Sequence, residues 1–451
     1  MKRVGPSRRG RSPARERPVA PAPTGPARDL AIDAIAAGGD GVGRDGGLVV
    51  FVPRTAPGDT VRARWTSSGR FARGVLTDVV RPSPERVEPP CAHYVVDRCG
   101  GCQLQHLALG AQRAAKRQLV VDALARIGGR RVAVDPVVPS PVAWRYRRKL
   151  TLSLRRRGGA WIAGLHPYDA PDDVFALRDC PITDDRVVAV WARVMANASL
   201  LPPDARALRG AVRLLTDDGD EPAAAFTLEG ATRWGESDAF FEAVPELAGL
   251  WWQPDGGNRR MLRARGDAAA GASFAQVNAG VATRLHRDVI ATLSEFTPAS
   301  LVDAYAGDGA VAEALARGGV AVTAIELDAD AAAVAAERLA AFGGRSVRAR
   351  VEDALADALP ATAVLVNPPR TGLDPAVPEI LERAATGAFG PPPERLVYVS
   401  CNPATLARDL ARLPSFAVRR VTPYDMFPQT AHVETLVVLE RAPQPAPEVS
   451  P

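Results

Sequence analysis

The chain has 451 residues, of which 47% are hydrophobic and 24% charged, a balance typical of globular rather than disordered proteins. This length predicts two to four domains. No apolar run approaches the roughly 20 residues that cross a membrane, and Met1 precedes a polar, Arg-rich segment without a signal core, so we expect a monomeric cytoplasmic protein without membrane partners. The net charge is +5, but abundant Ala, Arg and Pro indicate a GC-rich coding sequence, so the arginine count alone supports no function.

Residues 1–28 are rich in Arg, Pro and Gly and nearly lack large apolar side chains, so we expect a disordered tail that either holds phosphates or is merely solvated. From about Asp29 to Arg81, short β runs alternate with glycine turns and predict a small barrel. Its sequence interleaves cations and aromatics as nucleic-acid surfaces do: Arg62, Arg64, Trp65, Arg70, Phe71 and Arg73. The alternative is that Trp65 and Phe71 belong to the barrel core.

Four cysteines follow in a pattern that suits a metal site better than a disulfide framework: Cys91, Cys99, Cys102 and the distant Cys180. Two glycines between Cys99 and Cys102 allow a tight turn that aims both thiols at one centre. Four thiolates can hold either tetrahedral zinc or an iron–sulfur cluster. The spacing does not separate these, and His93 or His106 could replace one cysteine in a zinc site.

Residues 112–127 predict a helix whose polar face carries Arg113, Lys116, Arg117 and Arg126. A basic stretch with two aromatics follows, Trp144-Arg-Tyr-Arg-Arg-Lys149, and then an alternating strand that ends in Arg155 to Arg157. These cations predict contact with a phosphate backbone, although cations also protect an exposed strand edge. Residues 187–272 alternate helix and strand without an assignable motif.

The last third of the chain has a βαβ pattern. A strand breaks on glycine at Tyr305-Ala-Gly-Asp-Gly309, and the next strand ends in Glu326, where a carboxylate can accept hydrogen bonds from a ribose diol. Alone, this loop fits either NAD or S-adenosylmethionine; the missing Gly-x-x-Gly continuation favours the latter. A later strand ends in Asn367-Pro-Pro-Arg370, whose prolines hold the Asn amide toward the site.

Two candidate catalytic residues lie near the end. Leu396 to Val399 predicts a buried strand, and Asn402-Pro403 predicts the N-cap and first turn of a helix. Cys401 therefore lies at the carboxyl end of a strand beside a helix N-terminus, where we expect its thiolate to be favoured, unless it is merely a buried thiol. Glu434 opens the final apolar strand, a position where an acid is often simply exposed.

Together the motifs resemble the RNA uracil-5-methyltransferase family, from about Asp29 to Leu439: Cys99-Gly-Gly-Cys-Gln-Leu-Gln-His106, Phe274-Ala-Gln276, Asn367-Pro-Pro-Arg370, Ser400-Cys-Asn-Pro403 and His432-Val-Glu-Thr435. The barrel stretch resembles the TRAM domain, an OB-like RNA-binding module. The resemblance implies an α/β fold: a Rossmann-like class I methyltransferase domain (273–441) with an N-terminal OB-like TRAM β-barrel (29–82), a central iron–sulfur α+β domain (83–272), and disordered tails at 1–28 and 442–451.

The resemblance also implies roles for single residues. It places S-adenosyl-L-methionine against Gln276, Tyr305, Glu326 and Asn367, a [4Fe-4S] cluster on Cys91, Cys99, Cys102 and Cys180, and makes Cys401 the nucleophile and Glu434 the general base. Asn367 and the seven-residue spacing between Cys91 and Cys99 resemble the branch of the family that acts on 23S rRNA. The alternative target is tRNA. Other interpretations are an amino-group methyltransferase, which needs no thiol and usually has an aromatic where this chain has Arg370, and an RNA-binding iron–sulfur protein without activity.

Overall fold

The computed structural model describes residues 25–67, 69–215, 223–266 and 276–442. Most of the two predicted tails, and Phe274 and Ala275, lie outside these ranges. Within them, no helix is long and apolar enough to cross a membrane.

The first five strands close into a barrel with the order β1-β2-β3-β5-β4. Its strands are β1 (Arg28–Ile35), β2 (Gly41–Asp45), β3 (Leu48–Val52), β4 (Thr60–Ser67) and β5 (Phe71–Arg81). Alternate residues such as Ile32 and Val61 fill the interior, as period-two patterning requires. Trp65 is 3% exposed and belongs to this core, whereas Phe71 is 43% exposed. The barrel therefore buries one of its two candidate base-stacking aromatics and leaves the other on the surface.

The central part is a seven-stranded sheet with the order β12-β11-β10-β9-β6-β7-β8. Its strands are β6 (Lys149–Arg157), β7 (Ala160–Leu165), β8 (Phe175–Ala176), β9 (Ala207–Leu214), β10 (Ala224–Glu229), β11 (Leu247–Gln253) and β12 (Arg260–Ala264). Its helical segments are α1 (Ala92–Val95), α3 (Asp185–Ala196), a 3-10 turn (Ala198–Leu200) and α4 (Ser237–Ala243). Leu150, Leu152 and Leu154 alternate on the face of β6 that packs with Val187 and Trp191 of α3. The cysteine-bearing segment adjoins this core.

Helix α2 (Leu109–Arg126) precedes the central sheet in the chain but packs against the C-terminal part. Val120 and Leu124 share a hydrophobic cluster with Leu406 and Phe416. Lys116, predicted on the polar face, is fully buried instead. The prediction of an exposed Lys116 is wrong because a carboxylate that follows more than 300 residues later, Asp425, lies 2.5 Å from its Nζ.

The C-terminal part is an open seven-stranded sheet with the order β15-β14-β13-β16-β17-β19-β18. Its strands are β13 (Ser300–Ala304), β14 (Ala321–Glu326), β15 (Arg345–Arg348), β16 (Ala363–Val366), β17 (Arg395–Ser400), β18 (Phe416–Tyr424) and β19 (Glu434–Arg441). The helices are α5 (Ala279–Ser294), α6 (Ala310–Arg317), α7 (Ala329–Ala340), α8 (Val351–Ala358), α9 (Ala376–Ala385) and α10 (Pro403–Ala411). Strands β13 to β17 pair in parallel, and β18 and β19 add an antiparallel edge. The strand order reverses between β13 and β16, which is where open α/β sheets bind ligands.

Candidate active site

A cleft of about 480 Å³ opens at this reversal point. Gln276, Tyr305 and Asn367, three of the predicted cofactor residues, line it together. Tyr305 follows β13 in a left-handed conformation with φ 63°, which non-glycine residues rarely adopt. Backbone strain of this kind is concentrated at functional sites, because the surrounding structure must hold it in place.

Glu326, the fourth predicted cofactor residue, ends β14 beside the cleft but is not among its lining residues. Its carboxylate oxygens accept hydrogen bonds from two backbone amides, Gly307 at 2.9 Å and Asp328 at 2.7 Å. These bonds fix the carboxylate at the strand end and tie it to the glycine turn. Each oxygen keeps a lone pair for a further donor.

Asp303 was not identified from the sequence, yet it lines the same cleft. It is 2% exposed, and burial, aided by the charges of Glu326 and Asp308, raises its pKa to about 7. An acid inside the apolar run Leu301-Val-Asp-Ala304 was the available sequence signal, because buried carboxylates are rare unless they have a partner or a function.

Cys401 lies directly after β17, as predicted, and α10 begins at Pro403. Asn402 is the predicted N-cap: its Oδ1 accepts a hydrogen bond from the Ala404 amide at 3.0 Å. The thiol differs from expectation, however. Burial and the neighbouring Glu434 carboxylate raise the pKa of Cys401, while the charge and hydrogen bond of Arg370 oppose that rise. The expected preference for thiolate is therefore wrong, because burial disfavours the charged form by more than Arg370 favours it.

Glu434 is the first residue of β19 and is 2% exposed, so it is not the exposed strand start that such acids often are. Ser400 of β17 pairs with Thr435, and Tyr424 of β18 pairs with Glu434, so Glu434 opens the strand between β17 and β18. Its carboxyl group is close enough to Cys401 for the two to interact electrostatically. Burial raises the pKa of Glu434 to about 7, against the lowering effect of Arg370. A carboxyl group in this range can accept a proton near neutral pH.

Arg370 is a further candidate active-site residue, which the sequence analysis included in the Asn367-Pro-Pro-Arg370 motif but gave no role. The segment that carries it is fixed to α10: the Arg370 carbonyl accepts hydrogen bonds from Asn402 Nδ2 at 3.2 Å and Thr405 Oγ1 at 3.4 Å. Two residues share Asp409 Oδ2 as acceptor, the Leu373 amide and the Tyr398 hydroxyl, each at 2.8 Å. The Arg370 segment and the helix after Cys401 therefore form one hydrogen-bonded unit.

The four N-terminal cysteines are all free, all buried, and line one cavity of about 730 Å³. Two arginines in left-handed conformations hold its backbone: Arg54 (φ 62°) donates to the Cys99 carbonyl at 3.2 Å, and Arg145 (φ 55°) to the Cys180 carbonyl at 3.1 Å. Burial raises the pKa of Cys99 to about 11 and of Cys102 to about 12. Thiols so desolvated need a metal or another cation to become thiolates.

The two histidines considered as substitute ligands are both engaged elsewhere. His93 accepts a bond from the Arg178 amide at Nε2 and contacts Asp97 through Nδ1 at 2.7 Å. His106 bonds the Tyr94 hydroxyl at 2.8 Å and the Thr55 carbonyl at 3.1 Å. Across the described ranges, no three His, Cys, Asp or Glu side chains converge as a single metal ion requires.

Sequence comparisons show which known proteins the chain is similar to. Residues 267–442 fit the family model described as tRNA (Uracil-5-)-methyltransferase. An uncharacterised RNA methyltransferase of Thermosynechococcus vestitus is 34% identical over 91% of this chain and 97% of its own. The 23S rRNA (uracil(1939)-C(5))-methyltransferase RlmD of Dichelobacter nodosus is 32% identical over 89% of this chain and 96% of its own.

Among solved structures, the tRNA (uracil-54, C5)-methyltransferase of Pyrococcus abyssi in complex with S-adenosyl-L-homocysteine superposes with a TM-score of 0.65. It is 23% identical and covers 91% of this chain and all of its own, which establishes the common fold, that of class I methyltransferases. The resemblance inferred from the motifs is thus confirmed by full-length relatives as well as by the fold. The chain belongs to the RNA uracil-5-methyltransferase family and is an RNA (uracil-5-)-methyltransferase that uses S-adenosyl-L-methionine.

Proposed function

We propose that this enzyme methylates uracil C5 in RNA through a covalent bond between Cys401 and uracil C6, with Glu434 as general base. The observation that carries the proposal is the adjacency of the thiol directly after β17 and the buried carboxyl group at the start of the neighbouring β19. Cys401 comes two residues after Val399, which lines the cleft, and Glu434 opens the antiparallel strand next to β17. A methyltransferase acting on a nitrogen would need neither group.

Each group has a defined step. Uracil C5 is a poor nucleophile, so the Cys401 thiolate adds to C6 and gives an enolate. The enolate carbon C5 then takes the methyl group from the sulfonium, which leaves as the neutral thioether. Glu434 removes the remaining proton from C5, the C5–C6 double bond re-forms, and the C6–S bond breaks to return the thiolate of Cys401. Methyl, proton and electron pair are all accounted for.

The electrostatics of the pair suit this sequence. A Glu434 pKa of about 7 makes its carboxylate a stronger base than an ordinary one at neutral pH. The negative charge of Glu434 raises the pKa of Cys401. Arg370 acts in the opposite direction, because its positive charge lowers the pKa of both Cys401 and Glu434. We infer that Arg370 allows the thiolate and the carboxylate to coexist once substrate is bound.

The cleft residues hold the methyl donor in this proposal. Glu326 receives the ribose diol, Tyr305 and Asn367 flank the reacting end, and Gln276 lies across the opening. Asp303 is the added candidate, because a carboxyl group buried against the cleft is placed to bind the donor's ammonium.

The RNA must present an unpaired or flipped uridine, because a stacked base cannot reach Cys401. The barrel, with Phe71 exposed, and the basic segment around Lys149 are the proposed RNA contacts.

We propose 23S rRNA as the target, because the RlmD relative, named for 23S rRNA, is 32% identical over nearly the full length. A tRNA is the second candidate, since the Pyrococcus neighbour, named for tRNA, shares the fold. The division made from the sequence, three domains between two tails, remains our proposal for the domain boundaries.

We further propose that Cys91, Cys99, Cys102 and Cys180 hold a [4Fe-4S] cluster. All four line one cavity, and four thiolates can hold either zinc or a cluster; the resemblance of Cys99-Gly-Gly-Cys102 to the iron–sulfur segment of the family favours iron. The Gln105 side chain hydrogen-bonds the Cys102 sulfur, and among the described residues its Oε1 has no partner. Bound there, the cluster would cross-link residues 91–102 to the distant Cys180.

The direct test is Cys401→Ala with unmodified RNA and the methyl donor. Methyl transfer should fall by at least about 10⁴-fold, because an uncatalysed C5 remains inert, while RNA affinity stays within about twofold. Retained turnover would exclude covalent catalysis. Mass-spectrometric mapping of 5-methyluridine in rRNA and tRNA from a deletion strain identifies the target, and loss in tRNA alone would contradict the rRNA assignment.

A further inference from the structure

The segment that leads into Glu434, residues 425–433, is held by donors from three separate parts of the chain. We call this segment the base loop. Its three consecutive carbonyls at Phe427, Pro428 and Gln429 each accept a hydrogen bond from a donor outside the loop. The donors are Lys116 Nζ at 2.8 Å, the Tyr146 hydroxyl at 3.0 Å and the Leu104 amide at 2.9 Å. A loop that only joined two strands would not need hydrogen bonds from three other parts of the chain.

Gln429 is the central residue of this arrangement. Its backbone is left-handed with φ 71°, and the residue is 3% exposed. A buried non-glycine residue in that conformation costs about 1–3 kcal/mol, so the surroundings must hold it. Gln112 of α2 does so with two bonds: its Oε1 accepts from the Gln429 amide and its Nε2 donates to Gln429 Oε1, each at 2.9 Å.

Gln112 is itself fixed and has no route to the substrate. It is 1% exposed, and its Nε2 also donates to the Leu107 carbonyl at 2.8 Å. One turn further along α2, Lys116 pairs with Asp425 at the start of the base loop. Helix α2 thus fixes both the beginning and the middle of the loop whose end carries Glu434.

We propose that Gln429, held by Gln112, is a positioning residue for the Glu434 carboxylate in the proton-abstraction step. This inference rests on the proposed function. A general base must reach the C5 proton within about 2.6–3.2 Å, and a displacement of about 1 Å can cost roughly a hundredfold in rate. Releasing the Gln112 bonds lets the strained loop relax and moves Glu434, which lies five residues further on.

The consequence is specific to one step. Thiolate addition and methyl transfer precede proton abstraction, so a displaced Glu434 leaves the methylated Cys401–C6 adduct unresolved. A variant that merely destabilises the fold lowers the rates of all steps together. The adduct fraction on ordinary RNA therefore distinguishes positioning from general structural damage.

The test compares Gln112→Met, which keeps the side-chain volume, with Thr422→Val as matched control. Thr422 also joins β18 to the segment after α2, through Asp135 Oδ2 at 2.6 Å, but lies outside the base loop. The substrate is in vitro transcribed 23S rRNA or tRNA, whichever the wild-type enzyme methylates. The readouts are turnover, the SDS-stable adduct fraction and the melting temperature.

We expect Gln112→Met to lower turnover about tenfold and to accumulate adduct, because buried amides lose their partners, while Thr422→Val does neither. Gln429→Met, which removes the side-chain amide but keeps the side-chain volume and the left-handed strain, should behave like Gln112→Met and replaces it if that variant does not fold. Lowered turnover without accumulated adduct, or unchanged turnover, would overturn the proposal. If wild-type enzyme forms no adduct even with 5-fluorouridine RNA, the covalent route itself fails instead.

Discussion

Glu434→Gln should stabilise this enzyme in a strongly pH-dependent way. Burial raises the pKa of Glu434 from an ordinary 4.5 to about 7. The stability that the protonated form provides is complete below pH 4.5 and is lost as the pH rises to 7. The loss is 1.36 kcal/mol per pKa unit of difference, or about 3 kcal/mol in total. The isosteric amide cannot ionise, so the variant avoids this loss.

Thermal unfolding at pH 5 and pH 8 measures the effect. A change of about 3 kcal/mol in a domain of this size corresponds to roughly 6–12 °C, so Glu434→Gln should melt that much above wild type at pH 8 and close to it at pH 5. The control is Glu379→Gln on the exposed surface of α9, which should show no such dependence. An equal difference at both pH values would refute the reasoning, because it would mean that Glu434 does not ionise in this window.

Two further predictions concern the thiols. The rate at which Cys401 forms an adduct with 5-fluorouridine RNA should rise toward alkaline pH; Glu434→Gln should shift that profile to lower pH and Arg370→Met to higher pH, because Glu434 raises and Arg370 lowers the pKa of the thiol. An unmoved profile in both variants would contradict the electrostatic coupling. Protein purified without oxygen should be brown and contain iron that Cys102→Ser diminishes. Zinc in place of iron by elemental analysis would disprove the cluster assignment.

Local patterns in the sequence predicted the local features of the active site. Asn402 and Pro403 specify a helix start because an N-cap side chain and a proline act within one turn, and the apolar run before Cys401 specifies its strand. The pKa of Cys401 was not predictable in this way. It depends on burial first, and then on Glu434 and Arg370, which the fold brings to the thiol from other parts of the chain.

Long-range pairing explains the other differences. Lys116 lies on a sequence pattern typical of an exposed helix face, but a carboxylate more than 300 residues away neutralises it in the core. The Gln112–Gln429 pair spans 317 positions, and neither glutamine has a local signature. The cysteine spacing predicted one metal site on four thiols; the structure brings the four to one cavity, and the metal group itself stays a prediction.

The most direct measurement is mass spectrometry of the adduct formed with 5-fluorouridine RNA and S-adenosyl-L-methionine. A base can abstract a proton from C5 but not a fluorine, so elimination of the thiolate is blocked. We therefore expect a stable species in which the Cys401 peptide carries the methylated nucleotide. An adduct on another residue, or none with a proven target RNA, would contradict covalent catalysis by Cys401.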